Sequence, residues 1–169
     1  WFNEFYARDT SRKIRAVNKA KGERGVPLTT NVPYGYLKDL DNPRRWKIDP
    51  VAADVVRRIF SMCMEGRGSK QIANQLKADK VLTPASYKAL QGIKSPNKKL
   101  EDPYDWKSST VVAILERREY TGCTVNFKTF TNSIWDKKQR ETPVEKRASF
   151  PNTHERIIDD DMFEKVQEI

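Results

Sequence analysis

The fold of this chain is decided by residues 106–122, which read WKSSTVVAILERREYTG. Apolar residues recur there every three to five positions, and this spacing predicts a helix with one buried side. That side carries Val111, Ile114, Leu115 and Tyr120. Ser108 or Ser109 can cap the first turn, and Gly122 can adopt the left-handed conformation that closes a helix. We therefore expect one helix with a polar first turn and a basic last turn.

Two interpretations of this helix are open. Amphipathic surface helices with a cap and terminal arginines occur in any fold, so the pattern alone favours an ordinary surface helix. The alternative is a helix that presents its N-terminus to a ligand. The side chains then available outside the core are Lys107, Ser109, Thr110, Ala113 and Arg117. The rest of the chain has to decide between the two.

The composition narrows the class of partner. The 169 residues are 37% hydrophobic and 33% charged, which is normal for a folded globular domain. The 32 Lys and Arg residues outnumber the 23 Asp and Glu residues and give a net charge of +9. That charge favours a polyanion or an acidic membrane surface over a neutral ligand. The sequence has no signal-peptide pattern and no apolar run near 18 residues, so we expect no membrane partner.

Motifs for catalysis, metal or cofactor binding are missing from the sequence. Cys63 and Cys123 are isolated, and His154 is the one histidine, so no zinc-ligand set can be assembled. No phosphate loop or GxGxxG motif occurs. We expect no catalytic residue, no metal and no cofactor in this chain, and the cysteine usage fits the reducing cytoplasm.

The first 21 residues contain neither glycine nor proline and predict a helix. Four cations follow each other at i, i+4, i+7 and i+11 and form what we call the basic stripe. The basic stripe consists of Arg8, Arg12, Arg15 and Lys19. The opposite flank carries Phe2, Phe5, Tyr6, Ile14 and Val17, enough to dock weakly on a neighbour. The helix is either a solvated linker or an element that follows a phosphate backbone.

The middle of the chain predicts a hairpin followed by two helices. Residues 33–38 and 45–48 read as strands around a turn at 41–43. Asp49 as cap and Pro50 at the first position then open a helix that ends near Glu65. Its apolar face is Ala52, Val55, Val56, Ile59, Phe60 and Cys63.

A third helix follows the glycines at 66 and 68, with Ser69 as the expected cap, and runs to about Asp79. It would bury Ile72, Ala73 and Leu76, and such a pair of helices often begins a helix-turn-helix. Residues 80–105 are expected to be mostly loop, with a short helix near 85–90. A strand at 123–127 and a last helix capped by Asp159 complete the prediction.

In this order, the motifs resemble the recombinase domain of large serine recombinases, the phage integrases and transposon resolvase-like transposases. The matching segments are VPYGY at 32–36, IDP at 48–50, VVRRIF at 55–60, EGRGS at 65–69, IANQL at 72–76, LTP at 82–84, WKSSTV at 106–111, IL at 114–115 and YTG at 120–122. The resemblance covers roughly residues 3–127. Arg118 departs from the family, which usually has asparagine there, and the segment 80–105 is long for a helix-turn-helix.

The resemblance implies an α+β fold that is mainly α. It would be a helix-turn-helix-like DNA-binding domain with a small β-hairpin, preceded by a long basic linker helix. Residues 1–24 would end a helix leaving the catalytic serine domain, 25–128 would form the DNA-binding domain, and 129–169 would lead into a zinc-ribbon domain. Trp1 is not an initiator methionine, so we expect a fragment that is no enzyme by itself.

The resemblance also implies a double-stranded DNA partner and assigns two groups of contacts. Expected at base edges in the major groove are Lys107, Ser108, Ser109, Thr110 and Ala113. Expected at the DNA backbone or in the minor groove are Arg8, Arg12, Arg15, Lys19, Lys21, Arg24, Arg117 and Arg118. The fragment would be monomeric, the full-length protein would meet other recombinase subunits, and the setting would be the cytoplasm of a bacterium, with the gene on its chromosome, a phage or a transposon.

Other functions compete with this one. A stand-alone helix-turn-helix transcription regulator would share the binding helix. An RNA-binding basic protein would share the charge, but Trp46, Trp106 and Trp135 are too scattered to suggest base stacking. A nuclease would require paired carboxylates or a histidine motif.

Overall fold

A computed structural model describes residues 1–29, 31–42, 44–93, 102–132, 135–136 and 138–169. The helices are α1 (Phe2–Glu23), α2 (Pro50–Met64), α3 (Ser69–Ala78), α4 (Pro84–Leu90), α5 (Ser108–Leu115) and α6 (Asp160–Gln167). The strands are β1 (Tyr36–Lys38), β2 (Trp46–Ile48), β3 (Thr124–Asn126), β4 (Thr129–Phe130), β5 (Arg140–Glu141) and β6 (Ala148–Phe150). Short 3-10 helices span Arg118–Thr121 and Val144–Lys146. The mainly helical α+β class is confirmed.

The chain forms two compact units. What we call the helical unit comprises residues 34–36, 48–117 and 157–169. The mixed unit comprises residues 1–33, 37–47 and 118–156. The division of the sequence into a linker helix, a binding domain and a following segment stays a prediction.

Helices α2, α3, α5 and α6 build the core of the helical unit. Its fully buried side chains include Val56, Ile59, Phe60, Ile72, Leu76 and Val111. The rings of Phe60 and Phe163 lie 6.3 Å apart, and Gln167 donates a 2.9 Å hydrogen bond to the carbonyl of Leu115, so α6 is tied to α2 and α5. The apolar face predicted for α3 is confirmed. That predicted for α2 is confirmed except at Val55, which is only half-buried. A 3.6-residue period needs only one side to be covered.

Asp49 caps α2 as predicted and also binds α4. Its carboxylate accepts hydrogen bonds from the Ala52 amide, from the Tyr87 hydroxyl at 2.9 Å and from the Gln91 side chain at 3.2 Å. Asp49 is 5% exposed, so these donors replace the water that a buried carboxylate loses. Burial and the Asp49 carboxylate raise the pKa of Tyr87, which keeps this hydroxyl a donor.

The cap of α3 differs from the prediction. Gly68, rather than Ser69, is the N-cap, and Ser69 is the first helical residue. The Gln71 side chain accepts a 3.0 Å hydrogen bond from the Gly68 amide, so the reciprocal half of a capping box stabilises this end. Two candidate caps next to each other cannot be separated from sequence, since boundaries shift easily by one residue.

Helix α5 is shorter than predicted. It ends at Leu115, and the predicted caps Ser108 and Ser109 lie inside the helix, with Lys107 at the N-cap. Tyr120 is buried as expected, but it lies on the separate 3-10 helix. The chain passes from the helical unit to the mixed unit after Arg117, so Tyr120 belongs to a different unit from Ile114 and Leu115.

The mixed unit combines α1 with small sheets and turns. β3 pairs antiparallel with β6, joining Thr124 to Phe150 and Asn126 to Ala148, and β4 pairs with β5. Gly122 has the expected positive φ, +86°, and a Cβ there would lie 2.8 Å from the carbonyl oxygen of His154. Glycine is therefore required at this position both by conformation and by space.

The predicted hairpin and the predicted last helix are both present. β1 and β2 form a two-stranded sheet, and the Asp39 amide donates a 3.1 Å hydrogen bond to the Arg45 carbonyl. Pro43 of the predicted turn and part of the segment 80–105 lie outside the described residues. Asp159 is the N-cap of α6, as expected. In the described part of the chain no helix is long and apolar enough to cross a membrane.

The Asp49 contacts predict a large effect of Asp49→Ala on stability. The variant loses the α2 cap and leaves the Tyr87 hydroxyl and the Gln91 amide without their acceptor. We expect the free energy of unfolding to fall by about 1 to 3 kcal/mol, measured by urea denaturation. Asp54→Ala on the exposed face of the same helix is the control and should change stability by less than about 0.5 kcal/mol. Equal effects would contradict the proposed role of Asp49.

Candidate nucleic-acid interface

Helix α5 has a buried side and an exposed N-terminal turn. Val111 is fully buried, and Ile114 and Leu115 are 5% and 8% exposed, so these three side chains face the core of the helical unit. Of the five predicted base-contacting residues, Lys107, Ser108, Ser109 and Ala113 are exposed and Thr110 is half-buried. The structure thus brings these five residues together on one exposed end and side of one helix.

The start of α5 is fixed by Trp106. This side chain is 4% exposed, and its indole N–H donates a 2.9 Å hydrogen bond to the carbonyl of Val81. Its ring meets the edge of Tyr34 at a centroid distance of 6.4 Å. A buried indole with its polar atom satisfied is a rigid anchor. The exposed turn that follows therefore leaves the core at a fixed point.

The N-terminus of α5 is suited to an anion. Lys107 occupies the N-cap, and a lysine side chain has no acceptor with which to satisfy the amides of the first turn. The aligned peptide dipoles place partial positive charge at this end. Phosphate groups are commonly bound at such helix termini when other contacts hold them there.

An acidic pair beside this turn was missed by the sequence analysis. Asp105 accepts from Lys107 at 2.5 Å and from Lys77 at 2.9 Å, and Asp102 lies 3.1 Å from Lys77. The hydrogen bond from Lys107 is the main reason why the pKa of Asp105 is lowered. Lys107 would have to leave an exposed ion pair before it could contact a base, and such pairs stabilise little. The position of Asp105, two residues before Lys107, was the available signal.

The other end of α5 carries positive charge that the sequence showed only in part. Arg117 is half-buried just beyond the helix, and its charge acts on Lys88 of α4. Burial first, and then the Arg117 charge, lower the pKa of Lys88. Lys88 was missed because nothing in the local sequence links it to a residue 29 positions later. Two neighbouring cations of this kind attract a polyanion.

The mixed unit presents the remaining predicted backbone contacts. On α1 the side chains of Arg8, Arg12, Arg15, Lys19 and Lys21 are exposed, and so is Arg24 after the helix ends. Arg8 and Lys19 make long ion pairs within the helix, 4.0 Å to Glu4 and 3.9 Å to Glu23, which compete little with another anion. The flank of apolar residues predicted on α1 is also exposed.

Arg118 is exposed on a 3-10 helix that a buried cluster holds in place. The next residue, Glu119, is buried and ion-paired with Lys128. His154 hydrogen-bonds through Nε2 to the carbonyl of Glu119 at 2.7 Å and through Nδ1 to the Thr153 hydroxyl at 3.0 Å. Burial lowers the pKa of His154, although the Glu119 carbonyl and charge act in the opposite direction.

In a comparison with known protein families, residues 50–169 match the family model named Recombinase. The chain belongs to the recombinase family. The match includes α2 to α6 and therefore both α5 and its exposed turn. The resemblance found in the sequence is confirmed at this level, and the matched region extends beyond residue 127 to residue 169.

Two solved structures share the fold of this recombinase chain. One is the crystal structure of a complex of an LSR, a large serine recombinase, with DNA, with a TM-score of 0.56 and 18% sequence identity over 92% of this chain and 36% of that chain. The other belongs to a study of sequence requirements of the Listeria innocua prophage attP site, with a TM-score of 0.53 and 20% identity over 92% and 50% of the two chains. The chain thus spans a half or less of these structures. No curated protein sequence matches it.

The buried position of His154 predicts a measurable pH dependence. Because burial depresses its pKa in the folded state below 6.5, the unfolded chain binds a proton more readily than the folded chain. The corresponding stability is complete above pH 6.5 and is lost as the pH falls through the folded-state pKa. An NMR titration of this single imidazole should give a midpoint below 6.5.

Urea denaturation supplies the matching measurement. The stability of the parent chain should decline as the pH falls from 6.5, before the carboxylates titrate at about pH 4. His154→Gln, which keeps a polar side chain without a titrating group, should reduce that decline. A midpoint at or above 6.5 would contradict the interpretation that burial controls this imidazole.

Proposed function

We propose that this chain is the DNA-binding part of a large serine recombinase and binds one half of a recombination attachment site. The single observation that carries the proposal is α5, which buries Val111, Ile114 and Leu115 and leaves a turn of small polar and basic side chains exposed. Membership of the recombinase family and the DNA bound in one structural relative support it. The net charge of +9 agrees with a polyanionic partner.

In this proposal α5 enters the major groove with its N-terminus foremost. Ser108, Ser109 and Thr110 can donate to or accept from any base, and the methyl group of Ala113 suits the methyl group of thymine. Lys107 supplies a further donor once it leaves Asp105. In this proposal these side chains are the sequence-reading group, because they project from an exposed turn that the core of the helical unit fixes.

The phosphate-contacting group is larger and lies on several elements. The basic stripe on α1 would follow the DNA backbone toward the minor groove, assisted by Lys21 and Arg24. Arg117 and Arg118 would contact phosphates beyond α5. Such contacts supply affinity without reading sequence, and they make binding strongly dependent on salt.

The chemistry of recombination is assigned to parts of the protein outside this chain. The structural relatives are at least about twice as long, which leaves room for a catalytic serine domain and a zinc-ribbon domain. The full-length protein would then integrate and excise DNA together with other recombinase subunits, in the cytoplasm. The 169-residue chain alone would bind DNA as a monomer without cutting it.

The two groups of contacts predict different responses to substitution. Ser109→Ala and Thr110→Ala should change the relative affinities for variants of the attachment half-site, with each lost base contact worth about 1 to 3 kcal/mol. Lys19→Ala should weaken binding to all sequences alike and lower the slope of log K against log salt by about one unit. Fluorescence anisotropy on a panel of half-site duplexes measures both effects.

The assignment of base contacts to α5 would be overturned if the substitutions affected binding to all half-site sequences equally. If every substitution from Lys107 to Ala113 weakened all half-site variants equally, α5 would not read base edges. If the parent chain bound duplexes no better than a neutral protein of its size, the DNA-binding proposal for this chain would be wrong. If it nicked them, the assignment of catalysis to parts outside this chain would be wrong. Asn74→Ala, on the exposed side of α3, is the matched control in the helical unit.

The acidic pair predicts a substitution that strengthens binding. Asp105→Asn removes a negative charge next to the first turn of α5 and releases Lys107. We expect affinity for half-site DNA to rise by about two- to fivefold at low salt, with a smaller gain at high salt because exposed charges are screened. Asp54→Asn makes the same charge change on α2 and is the control. Unchanged or weaker binding by Asp105→Asn would place the DNA away from this turn.

A further inference from the structure

The end of α1 is bound by one buried side chain from β3. Asn126 is 3% exposed and makes three hydrogen bonds to the backbone where α1 ends and the following segment begins. Its amide nitrogen donates to the carbonyls of Gly22 at 3.1 Å and Val26 at 2.9 Å, and its carbonyl oxygen accepts from the Leu28 amide at 3.2 Å. One side chain therefore fixes three points along this turn of the chain.

Two aromatic rings pack against the same turn. Phe127 has a φ of +57°, which a residue with a side chain rarely adopts, and its ring lies where a Cβ of Gly22 would be, 2.3 Å from Cζ. Gly25 has a φ of +74°, and a Cβ there would lie 3.0 Å from the ring of Phe150 on β6. Gly25 is therefore favoured by its positive φ, and a side chain at Gly22 would have to displace the ring of Phe127. The end of α1 lies directly on the rings of Phe127 and Phe150.

The rest of α1 is not held in this way. Among the 22 residues of α1, all of them described, Gly22 is the buried one. The side chains of the basic stripe are exposed along the whole helix. The contacts of Asn126 and Phe127, which we call the clamp, are thus the place where the direction of α1 is determined.

The direction of α1 is important because the helix is long and is held at one end, so a small rotation there moves the other end far. Arg8 precedes the clamp at Gly22 by 14 residues, which is about 21 Å of helix at about 1.5 Å per residue. A change of about 10° at the clamp would move Arg8 by about 4 Å, more than the length of a charge-assisted hydrogen bond. The same change would move Arg12, ten residues from Gly22, by about 2.6 Å, which is close to that length. A small change of direction at Asn126 is therefore enough to remove Arg8 from a fixed phosphate and to weaken the contact of Arg12.

We propose that Asn126 and Phe127 are positioning residues for DNA binding, which hold α1 in the direction that places the basic stripe along the phosphate backbone. The inference rests on the proposed function, since it assigns a role in contacting DNA to residues that would not touch DNA themselves. It assigns to β3, a strand of the mixed unit, control over how many cations contact the backbone. Affinity and salt dependence would change with the clamp, whereas the sequence preference set by α5 would not.

The test uses the full 169-residue chain and changes the clamp by one substitution on β3 and one on α1. Asn126→Ala removes the three hydrogen bonds, and Gly22→Ala displaces the Phe127 ring while favouring helix at that position. Each variant is combined with Arg12→Ala, and the dependence of half-site affinity on salt is measured. In the parent chain Arg12→Ala should lower the salt slope by about one unit, and in either clamp variant by less than about half of that.

A control separates positioning from loss of stability. Thr153→Val removes hydrogen bonds to Thr124 and His154 inside the same mixed unit and leaves the end of α1 intact. Thermal unfolding, followed by circular dichroism, identifies a temperature at which all variants are folded, and binding is measured there. With Thr153→Val, the effect of Arg12→Ala on the slope should be the same as in the parent chain.

The possible results are distinguishable. The positioning role is wrong if Arg12→Ala lowers the salt slope by the same amount in the clamp variants as in the parent chain. It is also wrong if Thr153→Val diminishes the effect of Arg12→Ala as much as the clamp variants do. In both cases the DNA-binding proposal stands. If the parent chain does not bind half-site DNA, the proposed function itself fails. If it binds but Arg12→Ala has no effect on the salt slope, the contact of the basic stripe with phosphates is wrong and this inference fails with it. A smaller Arg12 effect in both clamp variants, with unchanged preference among half-site sequences, supports the inference.

Discussion

The structure of the helical unit depends on burying one side of α5. A helix of eight residues is unstable alone in water, so α5 exists because Val111, Ile114 and Leu115 are removed from solvent by neighbouring helices. Burying each such side chain contributes about 1.5 to 3 kcal/mol. The same packing decides which side remains exposed, so the core also selects Ser109 and Ala113 as the side chains open to a ligand.

The proposed DNA-binding residues differ in how far their charges are balanced. The cations of α1 would mainly supply affinity for DNA, and the residues of α5 would mainly supply sequence specificity. The basic stripe on α1 is exposed, and its ion pairs with other described residues are the two long ones within the helix, so it is available to phosphates. Beside α5, by contrast, Lys77 and Lys107 are balanced by Asp102 and Asp105. If α5 reads bases as proposed, its first turn would be near-neutral, which would limit nonspecific attraction at that turn.

Local signals in the sequence predicted most of the helices, and long-range contacts account for the errors and omissions. Asp49 followed by Pro50 marks a helix start by backbone chemistry alone, and the prediction was confirmed. The predicted end of α5 was wrong because Tyr120 is buried in the mixed unit rather than in the helical unit. The spacing between Ile114 and Tyr120 does not reveal this difference. Asn126 and Lys88 were missed because their partners lie far away in sequence. The DNA contacts themselves stay predictions.

The placement of α5 on DNA is tested most directly by cleavage from a tethered iron chelate. Ser109→Cys offers an exposed thiol, whereas Cys63 and Cys123 are buried, so the chelate can be attached at the first turn of α5. If α5 reads base edges, cleavage of a half-site duplex will be confined to one short cluster with the strand offset of a major-groove source. Cleavage spread evenly along the duplex, or with the offset of a minor-groove source, would contradict the central claim.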